Sequence, residues 1–330
     1  MRRELSYVLM RDGRLLRIVA VCANLLAAGS TLAASAGGPG GDGSDDPRRG
    51  ATVFARACAA CHGVDGRGDG PGARQLDPRP RDLTTQQYRF RSTPTGSLPL
   101  PADLERTIRD GLPGTAMPGF GGLFSAEQLA DLIAFVYSLQ PPDVLERPVP
   151  QAVLPARLPE PTRELIRDGH ALYLLSGCWR CHDVQGRGKG PSAKALVDES
   201  EHPIRVPDFR HDPLKRGREP EDVVRILRTG LNGAPMPSYD EAMLVARDDP
   251  ADTGGLEDEL SPETLSLIEE FQRSSPTREE LGRMPEADRE ALRDTRLAAL
   301  AYYVLSLGHR RGVYHWLLVE HPELEPRRPR

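Results

Sequence analysis

One block of sequence occurs twice in this chain, and that repetition constrains its fold more than any other feature. Gly50-Ala-Thr-Val-Phe54 precedes Cys58-Ala-Ala-Cys61-His62, and Gly169-His-Ala-Leu-Tyr173 precedes Cys178-Trp-Arg-Cys181-His182. Gly66-Arg-Gly-Asp-Gly-Pro71 returns 120 positions later as Gly186-Arg-Gly-Lys-Gly-Pro191. Arg106-Thr-Ile-Arg-Asp-Gly111-Leu-Pro-Gly-Thr-Ala-Met117-Pro118 returns as Arg225-Ile-Leu-Arg-Thr-Gly230-Leu-Asn-Gly-Ala-Pro-Met236-Pro237. Each copy closes on an apolar stretch of helical period, ending at Ser138-Leu139 and at Ser306-Leu307.

The periodicity predicts an all-α chain, with helices near 48–60, 102–111, 125–139, 163–177, 220–230, 262–273 and 286–307. No segment alternates as a strand would. Two tandem domains are expected, at 47–141 and 163–309, with a Pro-rich linker at 142–162 whose stretch from Pro141 to Pro161 shows no helical period and reads as a semi-rigid strap. The second copy carries an insertion at 240–290 with sixteen acidic and five basic residues. A run of that kind is usually a solvated face and less often a docking surface for a basic partner. A basic, Pro-containing tail follows at 310–330.

Residues 1–36 read as a signal peptide. Arg2, Arg3, Arg11, Arg14 and Arg17 lead into an apolar stretch from Ile18 to Ala28, and Ala34-Ser35-Ala36 offers a small-residue cleavage site. The apolar stretch is shorter than the ~20 residues of a membrane span, so membrane association is expected only if the leader stays uncleaved. Residues 37–46 then form a disordered linker. Export to the periplasm removes Cys22 and leaves four cysteines in two C-x-x-C pairs. A net charge of −5, with no basic block interleaved with aromatics, gives no sign of nucleic-acid binding.

C-x-x-C-H is the attachment motif of c-type heme. Two thiols one helical turn apart add to the two vinyl groups, and the histidine reaches the iron. Zinc would need four ligands where this motif supplies three crowded together, and a thioredoxin-like pair needs neither the histidine nor the glycine and aromatic upstream. Low hydrophobic and aromatic content, 38% and 5%, also suits a chain whose cores are completed by a large apolar macrocycle. An electron-transfer heme takes a second axial ligand, and a methionine thioether raises the potential. Met117 lies 55 residues after His62, and Met236 lies 54 after His182, in matching Gly-x-x-Met-Pro loops. Met243 and Met284 compete in the second copy, where the local match from Arg225 to Pro237 favours Met236.

On these motifs the chain resembles class I (mitochondrial-type) cytochromes c in tandem, across about 47–141 and 163–309. The resemblance implies two cytochrome c domains, each wrapped around one covalent heme: Cys58, Cys61, His62 and Met117 hold one, and Cys178, Cys181, His182 and Met236 hold the other, with His62, Met117, His182 and Met236 as metal ligands. It implies that the N-terminal helix crosses the C-terminal one through Gly50 and Phe54, with Phe135 opposite, and through Gly169 and Tyr173, with Tyr303 opposite. It also implies a proline carbonyl accepting from the proximal histidine's Nδ1. Pro71 and Pro191 are the candidates, with Pro80 and Pro207 as the fallback, because the histidine-to-proline spacing is shorter here than in the mitochondrial form.

The function expected is single-electron transfer between redox protein partners, by a carrier or by the electron-transfer subunit of a respiratory or dehydrogenase complex, with no catalytic residue of its own. A diheme peroxidase is the alternative and would need a displaceable distal ligand. A sensor that exchanges its methionine for a gas is a third reading. His170, His202, His211 and His309 fall outside the duplicated positions and are expected to be exposed or capping. Trp179 is expected to pack at the heme edge.

Overall fold

The computed structural model describes residues 45–308, apart from 149, 154–156, 251–254 and 257. The leader, Cys22, the linker before residue 45, His309 and the tail at 310–330 lie outside the described residues. Within these the chain is helical, with isolated bridges at Val197–Pro203 and Leu231–Met236 and no strands. No described helix is long and apolar enough to cross a membrane.

The first copy forms α1 (Pro47–Ala57), the one-turn α2 (Ala59–His62), α3 (Pro101–Asp110) and α4 (Ala126–Ser138). Their ends follow local chemistry. The Asp46 side chain caps α1, with Pro47 in its first turn, and Ser125 and Gln128 form a capping box on α4. Helices α1 and α4 pack together around Phe54, Leu129, Leu132, Ile133 and Val136. The rings of Phe54 and Phe135 lie 5.0 Å apart.

After a short α5 (Pro142–Leu145), the second copy repeats the plan with α6 (Arg163–Leu175), the one-turn α7 (Trp179–His182), α8 (Pro220–Thr229), α9 (Pro262–Ser274), α10 (Arg278–Arg283) and α11 (Glu286–Ser306). Helix α11 packs on α6, with Tyr173 and Tyr303 in edge contact at 5.3 Å. The linker thus contains a helical turn that its sequence did not suggest. It is a fastened strap: Val144 and Leu158 are buried, Val153 N–H donates to the Ser92 carbonyl at 2.8 Å, and Tyr302 donates to the Pro159 carbonyl at 2.5 Å.

The acidic insertion is largely structural. Met243, Leu256, Leu267, Ile268 and Phe271 belong to the second core, and α9 packs on α6. Helix α11 has 21 residues where α4 has 13, and it carries the cations that hold the insertion, Arg293 in its extra turns and Arg296 just after them. The buried Arg296 donates to the Met243 and Val245 carbonyls at 2.7 and 2.9 Å and to Ser275 at 2.7 Å, with its guanidinium over the Phe271 ring. Arg293 meets Glu286, Glu290, Glu241 and Asp240.

The two copies meet through a buried polar seam. Arg91, 1% exposed, donates to the carbonyls of Thr229 (2.5 Å) and Gly230 (3.4 Å) at the end of α8. Those carbonyls are the negative end of the helix and act as its counter-charge; burial pushes the guanidinium down to about 10. Arg106 pairs with Asp222 at 2.6 Å, Arg89 with Asp198 at 3.1 Å, and Arg81 with Glu199. Asn232 accepts from Gly96 N–H at 3.1 Å and donates to the Gln86 carbonyl at 3.2 Å.

Candidate heme-binding site

Each C-x-x-C-H motif sits on its own helical turn, immediately after the first helix of its copy. Cys58 N–H closes on Phe54 O at 2.8 Å, and His62 N–H on Cys58 O at 2.9 Å. In the second copy Cys178 N–H donates to Tyr173 O at 3.1 Å, and His182 N–H to Cys178 O at 2.9 Å. The turn puts both thiols of a pair on one face with the histidine one residue on. Gly63 ends the first turn at φ 76°, whereas Asp183 ends the second in the same left-handed region, its carboxylate accepting from Gln185 N–H at 2.6 Å.

The Gly-rich loop then folds back. Gly68 N–H donates to His62 O and Gly70 N–H to Cys61 O; Gly188 and Gly190 do the same to His182 and Cys181, all within 2.8–3.1 Å. A Cβ on Gly70 would lie 2.6 Å from the Ala59 and Ala60 carbonyls, and one on Gly190 would overlap the Trp179 and Arg180 carbonyls, so only glycine admits this approach. Gly66 and Gly186 lie against Leu139 and Leu307, which ties each loop to the end of its last helix.

Pro71 and Pro191 do not face the histidines. Both are exposed, at turns whose flanking N–H groups are turned onto the helix-end carbonyls just described. The carbonyl that His62 Nδ1 meets, at 3.0 Å, is that of Arg81. A carbonyl only accepts, so this bond puts the proton on Nδ1 and leaves the Nε2 lone pair for a metal. Gly68 faces Pro80 and Arg81 as Gly188 faces Val206 and Pro207, so Arg81 and Pro207 are equivalent. The fallback choice is therefore one residue short in the first copy, and in the second it falls at the position equivalent to Arg81. His182 Nδ1 has no partner in hydrogen-bonding geometry, and its ring stacks on Phe209 at 4.3 Å.

Burial keeps both histidines neutral. It lowers His62, with the Arg81 carbonyl opposing, and lowers His182 to about 4, with the Pro207 carbonyl opposing. Burial also raises the thiols, Cys58 to about 11 and Cys178 to about 12. Among the described residues no three His, Cys, Asp or Glu side chains converge to hold a metal ion. None of the four cysteines is in a disulfide.

The methionine loops match as closely. Leu112 N–H closes on Met117 O at 3.0 Å, and Leu231 N–H on Met236 O at 2.9 Å. Gly111 and Gly230 cap α3 and α8 at φ 67° and 63°, and a Cβ on either would lie within 3 Å of the Met-Pro backbone. Met117 and Met236 are half-buried. Met243 is fully buried in the second core, and Met284 caps the end of α10.

These residues fit a covalently attached heme: paired thiols outside any disulfide, a neutral imidazole, a thioether on a closed loop, and glycine backbone where the chain comes closest. In the second copy, buried Trp179 Nε1 and Tyr303 Oη have no hydrogen-bond partner among the described residues, as expected around a polar-edged group. His170 is buried rather than exposed, stacked on Tyr303 at 4.6 Å, because both α9 and α11 cover α6.

The family model described as Cytochrome c matches residues 47–140. A chain of the Kuenenia stuttgartiensis reducing HAO-like protein complex is 31% identical, with a TM-score of 0.62, over 81% of this chain and 98% of that one. No curated protein matches. With its attachment motif inside the matched region and a relative aligned across both copies, the chain belongs to the cytochrome c family.

Proposed function

We propose that the chain is an exported diheme c-type cytochrome that passes single electrons between redox proteins, working as the electron-transfer subunit of a complex. Cys58, Cys61, His62 and Met117 would hold one heme. Cys178, Cys181, His182 and Met236 would hold the other. When bound, heme supplies a one-electron iron couple; the protein buries it, sets its potential and leaves an edge for partners. The observation that carries this reading is the repetition of the whole site, from the helix crossing through the glycine loop to the Gly111 and Gly230 caps, in both halves. That the similar chain comes from an HAO-like protein complex supports a role as a subunit.

The test is the visible and near-infrared spectrum of the holoprotein with and without carbon monoxide. Two six-coordinate His/Met centres give a sulfur-to-iron band when oxidised and no change with carbon monoxide when reduced. A carbon monoxide adduct at one centre would support a peroxidase or a gas sensor instead.

A further inference from the structure

Arg81 serves both halves of the chain at once. Its carbonyl accepts from His62 Nδ1 at 3.0 Å, while its guanidinium pairs with Glu199 of the second copy. Glu199 is fixed in turn by the second methionine loop: its N–H donates to the Gly233 carbonyl at 3.3 Å, and its carboxylate packs so closely on Gly233 that a Cβ there would lie 2.6 Å from Glu199 Cδ. Gly233 is three residues before Met236. Arg89 binds the same corner, at 3.1 Å from Asp198 and 3.5 Å from the Gly233 carbonyl. The equivalent of Arg81 in the second copy is Pro207, which has no charge to pair, so the arrangement is one-sided.

We propose that Arg81 and Glu199 are a positioning pair through which the second half of the chain sets the redox potential of the centre at His62. Two physical effects act there. A hydrogen bond from Nδ1 to a fixed carbonyl makes the ring a stronger donor, which favours the oxidised metal. A cation beside the centre favours the reduced metal, and Glu199 offsets that cation. Both side chains are mostly buried, 19% and 26% exposed, so salt screens the pair weakly.

The inference rests on the heme reading for the first copy. Heme stoichiometry of the parent and of each variant, by mass and by pyridine hemochrome, therefore comes first: a parent without heme on Cys58 and Cys61 would end the functional reading itself. Redox titrations of holoprotein labelled with 15N-histidine, following the paramagnetically shifted Nδ1–H of His62, then report the first centre alone. Glu199→Gln should raise its potential, because the guanidinium loses its counter-charge. Arg81→Met should lower it, because Glu199 is left alone, and Arg81→Lys should stay close to the parent. The second centre should move little in all three. Fully loaded Glu199→Gln with the first-centre potential and the His62 resonance of the parent would overturn the proposal. So would a shift confined to the second centre, or shifts of the same sign in Glu199→Gln and Arg81→Met.

Discussion

Gly50 rests directly on the Asp131 carbonyl, and Gly169 rests in the same way on the carbonyl of Ala299. A Cβ at either position would overlap that carbonyl and come within 3 Å of a second atom, the Cβ of Phe135 or of Tyr303. Each glycine is thus the point at which the first and last helices of its copy touch backbone to backbone.

Gly50→Ala and Gly169→Ala should each destabilise the holoprotein by about 1–3 kcal/mol, the usual cost of overpacking a tight contact. Thermal unfolding of the two single variants and the double variant measures this. The two cores contain different residues, so the two losses should add to within ~0.5 kcal/mol.

Arg228 anchors the acidic insertion. It is 5% exposed at the side chain and meets Asp240 at 3.0 Å, Glu290 at 2.9 Å and Asp294. Burial raises the Asp240 and Asp294 carboxyls, and Arg228 opposes the rise. Arg228→Met should cost about 3–5 kcal/mol at neutral pH, because partly buried carboxylates are left uncompensated. Their folded pKa values then rise further above the unfolded values. Such groups bind protons more tightly in the folded state, so the lost stability should return as pH falls through the folded pKa. Urea unfolding of the variant at pH 7 and near pH 4.5 checks the sign.

How much of this was legible in the sequence depends on whether a contact lies at a repeated position. The pairing of Gly50 and Phe54 with Phe135 is implied by the family resemblance, because these residues sit at matched positions of both copies. The carbonyl partner of His62 does not follow. The loop from Pro71 to Arg81 is six residues shorter than that from Pro191 to Pro207, so the registers diverge where the choice has to be made. The insertion misled for another reason. Its own charges are visible, but Arg228, Arg293 and Arg296, which bind its carboxylates and carbonyls, come from helices on either side of it. His170 looked like a surface residue because one helix shows one buried face, whereas α6 is covered by two neighbours.

The methionines of the second copy separate by role. Met243→Ala should lose about 2–5 kcal/mol of stability, as a fully buried side chain does, and keep the low-spin spectrum. Met236→Ala should abolish the sulfur-to-iron band of one centre with a smaller loss of stability, and Met284→Ala should leave both centres unchanged. Near-infrared spectra beside melting curves distinguish the three outcomes.

Both repeats should carry the same covalent chemistry. Intact mass of the protein purified from a host that matures c-type cytochromes, followed by peptide mapping, tests it most directly. Two heme additions are expected, one on the peptide with Cys58 and Cys61 and one on that with Cys178 and Cys181, with no free thiol among these four. A single addition, or free thiols at Cys178 and Cys181 in otherwise mature protein, would contradict it.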